Sequence, residues 1–87
     1  MRIPQVGDMV VCYGKTDDFL NSEMKLLFKA LIIENDKKYD LWTASVIYAD
    51  KVYRYKPLDT WSFNFSDWKG MLEPRFNSNK WFIEDGT

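Results

Sequence analysis

The sequence predicts a small, mostly β domain, and three stretches indicate it. Residues 39–56 are rich in β-branched and aromatic residues and contain no Gly or Pro, a composition that favours strands. Apolar and polar residues alternate over 61–65, the pattern of a strand with one apolar face. A short apolar run at 6–14 starts at a Gly-Asp turn and stops at a glycine. We therefore expect about five strands and at most one short helix.

In chain order, residues 1–5 are predicted to be an N-terminal arm and residues 6–14 the first strand. The next segment, 15–34, fits two structures. Helical spacing links Phe19, Leu20, Met24, Leu27, Phe28 and Leu31. Alternation over 26–32, in a segment that closes on the two β-branched residues Ile32 and Ile33, favours a strand instead. We favour a loop with a helical turn at about 16–25 and then a strand at 27–34, with an amphipathic helix over 17–33 as the alternative.

The central stretch 39–56 is predicted to be a β-hairpin that reverses at 49–51, and residues 35–38 are the loop that leads into it. One face of its first strand would carry Trp42, Ala44, Val46 and Tyr48. After Pro57 we expect a strand at 61–65, then a single helical turn capped by Ser66 and ended by Gly70. A last strand is predicted at 80–84.

The length of 87 residues predicts one domain, 1–87, in which 57–87 form an aromatic-rich C-terminal extension. Lys and Arg total 12 against 13 Asp and Glu, which argues against nucleic-acid binding by the domain as a whole. The lone Cys12 lies in an apolar run and is predicted to be a buried thiol in a reducing compartment. Since no apolar run is long enough for a signal peptide or a membrane span, we expect a cytoplasmic protein.

Catalytic patterns are scarce. The chain has no His and one Cys, so it lacks His-based triads and the usual zinc ligands, and its four glycines do not have the spacing of a phosphate loop. Carboxylates that could act as an acid and base pair are more simply turn and cap residues: Asp17, Asp18, Asp36, Asp40 and Asp59. We expect no enzyme, no cofactor and no metal.

The opening VGDMVVCYG, a Gly-Asp turn that runs into a short apolar strand, resembles the first strand of SH3-like small barrels such as the Tudor and KOW types. This resemblance implies a partly open barrel of about five strands. In such barrels, aromatic residues near strand ends can form a cage for a methylated Lys or Arg. Candidates here are Trp42, Tyr48, Tyr53 and Tyr55, although core packing explains them more simply.

Two further sets of residues are candidates for binding. Large aromatics with nearby cations after Pro57 suit a protein interface: Trp61, Trp68, Arg75, Phe76, Lys80 and Trp81. Alternating cations and rings, which would project from opposite faces of one β-strand, suit the binding of a single-stranded nucleic acid. These residues are Lys51, Tyr53, Arg54, Tyr55 and Lys56.

Our sequence-based hypothesis is non-catalytic protein binding. The short, Lys-, Asn-, Asp- and aromatic-rich chain suits a phage or mobile-element protein that docks on a bacterial host protein and modulates it, for example as an inhibitor. A nucleic-acid-binding small barrel is the alternative.

Overall fold

The structure is a computed structural model that describes residues 3–15, 24–51, 53–72 and 79–84. Within these residues lie five strands and one helix: β1 (Met9–Gly14), β2 (Lys25–Asp36), β3 (Leu41–Ala49), β4 (Thr60–Asn64), α1 (Phe65–Leu72) and β5 (Lys80–Glu84). The strands form one antiparallel sheet in the order β4-β3-β2-β1-β5. The predicted mostly β fold with one short helix is therefore confirmed. β4 and β5 are the edges of the sheet, which is not closed into a barrel by pairing between them.

The Gly-Asp turn before β1 forms as predicted. Gly7 has a φ of 95°, in the left-handed region that favours glycine. Its N–H donates to the carbonyl of Ile32, and the N–H of Ile32 donates to the carbonyl of Asp8, both at 2.9 Å. The turn is thus hydrogen-bonded to β2. β1 begins at Met9 rather than at Val6, because the first residues of the predicted strand lie in this turn.

Residues 25–36 form β2, so the strand predicted at 27–34 is confirmed. The alternative of a helix over 17–33 is wrong for the part of that range that the structure describes. Phe28, Ala30 and Ile32 are buried on one face of β2, as the period of a strand requires. The helical turn predicted at 16–25 falls largely outside the described residues, and its last residue, Lys25, already belongs to β2.

The hairpin predicted at 39–56 is wrong in its second strand. β3 pairs with β2 through a turn at residues 37–40, and with β4 on its other side. The loop lies two residues later than predicted, and Asp40 adopts a φ of 52° in it, a conformation that Asp tolerates. The chain does turn after β3, but the described residues of 51–56 form no strand. Instead, Asp50 is buried, where its N–H donates to the carbonyl of Leu27 at 2.7 Å.

Three of the four residues predicted to share a face of β3 do so. Trp42, Ala44 and Val46 are buried, whereas Tyr48 is 41% exposed. The register of β2 against β3 shifts after Lys29, which pairs with Tyr48, while the next residue of β2 pairs with Val46. This β-bulge leaves one residue of β3 unpaired and reverses the alternation. As a result Ala49, and not Tyr48, packs against the core.

The sheet is strongly curved, as the contact between aromatic rings of its two edge strands shows. In a flat sheet, four spacings of about 4.8 Å would separate β4 from β5 by roughly 19 Å. The rings of Trp61 in β4 and Trp81 in β5 nevertheless lie 6.0 Å apart and stack. β2 has two register shifts against β3, and such bulges bend and twist a strand. The concave side of the curved sheet holds the hydrophobic core.

α1 follows β4 directly and packs against both β4 and β5. Its buried residue, Trp68, packs on Phe63 with ring centroids 6.1 Å apart. The side chain of Asn64 accepts a hydrogen bond from the N–H of Asp67 at 2.8 Å, and the carboxylate of Asp67 accepts one from the N–H of Asn64 at 3.1 Å. This reciprocal pair is a capping box. The prediction that Ser66 caps the helix is wrong, as is the predicted end at Gly70, since the helix continues to Leu72.

Replacing the observed cap should therefore cost more stability than replacing the predicted one. We expect Asn64→Ala to lower the free energy of unfolding by about 1 kcal/mol, because the N–H of Asp67 loses its acceptor. Ser66→Ala is the matched control and should change it by less than about 0.5 kcal/mol, since Ser66 is exposed. Urea denaturation of both variants measures the difference. Equal losses, or a larger loss at Ser66, would contradict this assignment of the cap.

Candidate functional site

Four partly exposed aromatic rings meet on the concave side of the sheet around one buried ring. The central ring belongs to Phe28 of β2, which is 1% exposed. The four surrounding rings have centroids 5.7, 5.8, 5.0 and 5.8 Å from that of Phe28 and belong, respectively, to Tyr53, Tyr55, Trp61 and Trp81. We call these five residues the aromatic cluster. It is the largest gathering of partly exposed rings among the described residues.

The cluster is assembled from distant parts of the chain. Trp61 comes from one edge strand, Trp81 from the other, and the two tyrosines from the connection between β3 and β4. Trp61 and Trp81 stack at an interplanar angle of 20°, and Tyr53 meets Trp81 edge-on at 77° with centroids 6.3 Å apart. Both arrangements are ones that aromatic pairs favour. The curvature of the sheet is therefore what creates the site.

Hydrogen bonds hold the connection that carries the two tyrosines. The carboxylate of Asp50 lies 3.0 Å from the ammonium of Lys25. The carbonyl of Asp50 accepts a hydrogen bond from the N–H of Tyr53 at 2.8 Å. Further along, the N–H of Lys56 donates to the carboxylate of Asp59, also at 2.8 Å. The backbone on either side of Tyr55 is thus fixed, which reduces the entropy that this ring would lose on binding a partner.

A small polar network lies beneath the cluster. The amide of Asn79 donates to the hydroxyl of Tyr53 at 3.1 Å, and the sulfur of Cys12 lies 3.7 Å from that hydroxyl. Burial, together with a smaller contribution from the hydrogen bond with Cys12, raises the pKa of Tyr53 to about 12. Burial also raises the pKa of the Cys12 thiol. Both groups are therefore neutral at pH 7, and Cys12 is a buried thiol, as predicted.

The residues predicted to bind protein separate into four groups. Trp61 and Trp81 belong to the aromatic cluster. Trp68 is 2% exposed and supports the core from α1, so its ring is not on the surface. Lys80 is exposed at the start of β5. Arg75 and Phe76 lie outside the described residues.

The residues predicted to bind nucleic acid are only partly brought together. Tyr53 and Tyr55 both contact Phe28, while Lys51, Arg54 and Lys56 are exposed. The predicted separation of rings and cations on opposite faces of a strand is wrong, because the described residues of this segment form no strand. Rings from the two predicted sets, one for protein and one for nucleic acid, thus meet in a single cluster.

The aromatic residues proposed for a cage do not all converge. Trp42 is 4% exposed, stacks on Phe63 at 5.5 Å and donates from its indole N–H to the carbonyl of Pro4 at 2.9 Å. Tyr48 is exposed and is not in the cluster. Phe28 as the centre of the site and Asn79 as the partner of Tyr53 were not predicted from the sequence. No local pattern marks either residue, since each acquires its role through contacts with distant segments.

The described carboxylates among the acid-base candidates accept hydrogen bonds from backbone N–H groups. Asp36 accepts a hydrogen bond from the N–H of Lys38 at 3.0 Å, and Asp40 accepts one from the N–H of Phe65 at 3.4 Å. Asp59 accepts that of Lys56. Asp17 and Asp18 lie outside the described residues. Within the described ranges, no group of three or more His, Cys, Asp or Glu side chains is placed to hold a metal ion.

A second concave surface lies at the β2–β3 turn. It has a volume of about 310 Å³ and is lined by Ile3, Asn35, Lys37, Asp40, Trp42 and Phe65. Opposite charges and apolar rings line it together.

Comparison of the chain with family models, with curated proteins and with solved structures gives no match. In the parts of the chain that the structure describes, no helix has the length and apolar character needed to cross a membrane. The fold and site therefore define a small antiparallel sheet domain with a partly exposed aromatic cluster.

The environment of Tyr53 predicts its behaviour at alkaline pH. Its pKa of about 12 lies above the ordinary value of 10.0, so the folded state favours the neutral phenol. The preference of the folded state for the neutral phenol contributes to the free energy of unfolding. This contribution is fully present below pH 10 and is lost as the pH rises from about 10 to about 12. In a titration followed by tyrosinate absorbance, a late phase near pH 12 should therefore report the ionisation of Tyr53.

Tyr53→Phe should remove this late-ionising phenol and leave the rest of the titration curve unchanged. Tyr48→Phe is the control, because its ring is exposed, and it should keep the late phase. A late phase that persists in Tyr53→Phe would show that the buried phenol is another residue.

Proposed function

We propose that the chain is a non-catalytic protein-binding module whose contact surface is the aromatic cluster. One observation carries the proposal: partly exposed rings of Tyr53, Tyr55, Trp61 and Trp81 gather around the buried Phe28. Trp and Tyr are the residues most enriched at the energetic centres of protein interfaces, because they bury a large area with few rotatable bonds. A fixed cluster of such rings is suited to anchor a partner.

The proposal assigns different roles to the residues around the cluster. Exposed cations beside the tyrosines, Arg54 and Lys56, suit the polar rim of an interface. Trp68 supports the cluster from the core rather than touching the partner. Lys80, together with Arg75 and Phe76, remains part of the proposed surface on the sequence argument.

We further propose that the curved sheet is a partly open, SH3-like barrel. Support comes from the contact between the rings of the two edge strands and from the two bulges in the pairing of β2 with β3. In this arrangement α1 lies at the opening, where it packs against both edges. The aromatic cluster then lies at the gap between β4 and β5, where a partner could insert an apolar side chain.

The biological setting that we propose is a phage or mobile-element protein that acts in the bacterial cytoplasm by binding and modulating a host protein, for example as an inhibitor. The support is compositional: a chain of 87 residues, 17% of them aromatic, whose one cysteine is a buried thiol. A protein of this size modulates a larger one most simply by covering part of its surface.

Nucleic-acid binding is the alternative proposal, through Lys51, Tyr53, Arg54, Tyr55 and Lys56. The observation in its favour is that the connection before β4 presents a partly exposed tyrosine ring between two exposed cations. The net charge of −1 stands against it. The two functions differ in salt dependence, because contacts with phosphates weaken steeply as salt increases whereas aromatic contacts do not.

The first experiment is capture of a protein partner by the tagged chain from a nuclease-treated bacterial lysate, with washes at low and high salt and identification by mass spectrometry. We expect one protein to be retained in stoichiometric amount through the high-salt wash. Binding that is lost with nuclease or salt would reject the protein-binding proposal in favour of the nucleic-acid one.

The second experiment uses two tyrosines as a matched pair. Tyr55 and Tyr48 are 37% and 41% exposed, but only Tyr55 belongs to the cluster. With the purified partner, we expect Tyr55→Ala to raise the Kd roughly tenfold or more, as for a residue at an energetic centre. Tyr48→Ala should leave the Kd within about twofold. Equal effects of the two variants in calorimetric titrations would show that the cluster is not the contact surface.

A further inference from the structure

The pocket at the β2–β3 turn shares no residue with the aromatic cluster and has no part in the function proposed above. Its volume of about 310 Å³ is near the lower end of the range of roughly 300–1,000 Å³ that small-molecule sites occupy. Three parts of the chain form its walls: the segment before β1 at Ile3, the two sides of the β2–β3 turn, and the start of α1 at Phe65. An enclosure of this size suits a small molecule.

Hydrogen bonds join these walls to one another. Trp42 is the most buried of the lining residues, and its indole N–H donates to the carbonyl of Pro4 at 2.9 Å, which attaches the segment before β1 to β3. The N–H of Phe65 donates to the carboxylate of Asp40 at 3.4 Å, which attaches the start of α1 to the turn. The walls are therefore in place before a ligand binds, and little ordering of the chain opposes binding.

Lys37 and Asp40 bring opposite charges to the same pocket. Within the described residues, neither side chain forms an ion pair, and the two do not pair with each other. Both side chains belong to exposed residues of the turn. The apolar rings of Trp42 and Phe65 line the pocket beside them. A ligand can thus meet a cation, an anion and apolar surface in one place.

The ligand that matches these features carries an ammonium, a carboxylate and an apolar group close together. A purely anionic ligand would be attracted by Lys37 and repelled by Asp40, and a purely cationic one would meet the reverse. The end of a protein chain offers only one of the two charges. We propose that the pocket binds a free α-amino acid with an apolar side chain. Its carboxylate contacts Lys37, its ammonium contacts Asp40, and its side chain packs against Phe65.

The test is an NMR titration of the isotope-labelled full chain with L-phenylalanine. We expect saturable shifts of the indole N–H of Trp42 and the backbone N–H of Phe65, with one common Kd of about 1 mM or below. Three analogues each lack one part of the ligand: phenethylamine lacks the carboxylate, hydrocinnamate lacks the ammonium, and glycine lacks the apolar side chain. Each should bind about threefold more weakly or worse, because contacts with exposed charges contribute modestly.

Two variants assign the charged contacts separately. Lys37→Gln should raise the Kd of L-phenylalanine and of hydrocinnamate about threefold or more, without weakening the binding of phenethylamine. Asp40→Asn should raise the Kd of L-phenylalanine and of phenethylamine by a similar factor, without weakening that of hydrocinnamate. Asparagine keeps an acceptor for the N–H of Phe65 and tolerates the left-handed conformation of residue 40.

Lys38→Gln and Glu34→Gln are the matched controls, because both side chains are exposed and neither lines the pocket. They should leave the Kd of every ligand within about twofold.

The proposal is overturned if L-phenylalanine gives no saturable shift up to about 10 mM, or if the shifts lie on the aromatic cluster instead of the pocket. It is also overturned if the analogues bind as tightly as L-phenylalanine, or if each variant weakens all ligands equally. The analogue series uses the unaltered chain, so it decides the question even where a variant is unstable. None of these outcomes depends on whether the aromatic cluster binds a protein.

Discussion

The packing of four aromatic rings around Phe28 is the interaction on which the rest of the structure depends. Phe28 lies in the middle strand of the sheet, and its ring touches rings from both edge strands and from the β3–β4 connection. Each aromatic pair contributes about 0.5–1.5 kcal/mol beyond the burial of its area. Four such pairs amount to a few kcal/mol, a sizeable part of the roughly 5–15 kcal/mol that stabilises a typical domain. The rings thus provide the stability that a small chain without a disulfide needs.

The same rings connect stability with function. A ring that is buried on one side and exposed on the other stabilises the curved sheet and still presents apolar area to a partner. Trp61 and Trp81 are the clearest cases, because each contacts Phe28 and the other tryptophan. Replacing either one would weaken fold and surface together. Tyr55, at the exposed margin of the cluster, separates the two roles better.

The sequence predicted those elements whose signal is local. β1, β4 and β5 each combine a short apolar or alternating pattern with a turn residue nearby. The prediction of a hairpin at 39–56 was wrong in its second strand. Residues 51–56 have the composition of a strand, but distant residues decide which strand pairs with β3. β4 pairs along that side of β3, and Asp50 is held by Lys25 and Leu27 of β2. The aromatic cluster was predictable only in part, since Tyr53, Tyr55, Trp61 and Trp81 were each candidates but in separate sets. Their meeting depends on the curvature of the sheet, to which the two bulges between β2 and β3 contribute, and no sequence pattern indicates those bulges.

The most direct test of this account is the distance between the two edge strands. Trp61 and Trp81 are separated by three intervening strands in the sheet, yet their ring centroids are 6.0 Å apart. In a NOESY spectrum of the protein with its tryptophan resonances assigned, the account predicts direct cross-peaks between the two indole rings and from each of them to the ring of Phe28. Cross-peaks from each tryptophan only to residues of its own and the adjacent strand would show that the sheet is flat, and would contradict both the assembled cluster and the surface proposed from it.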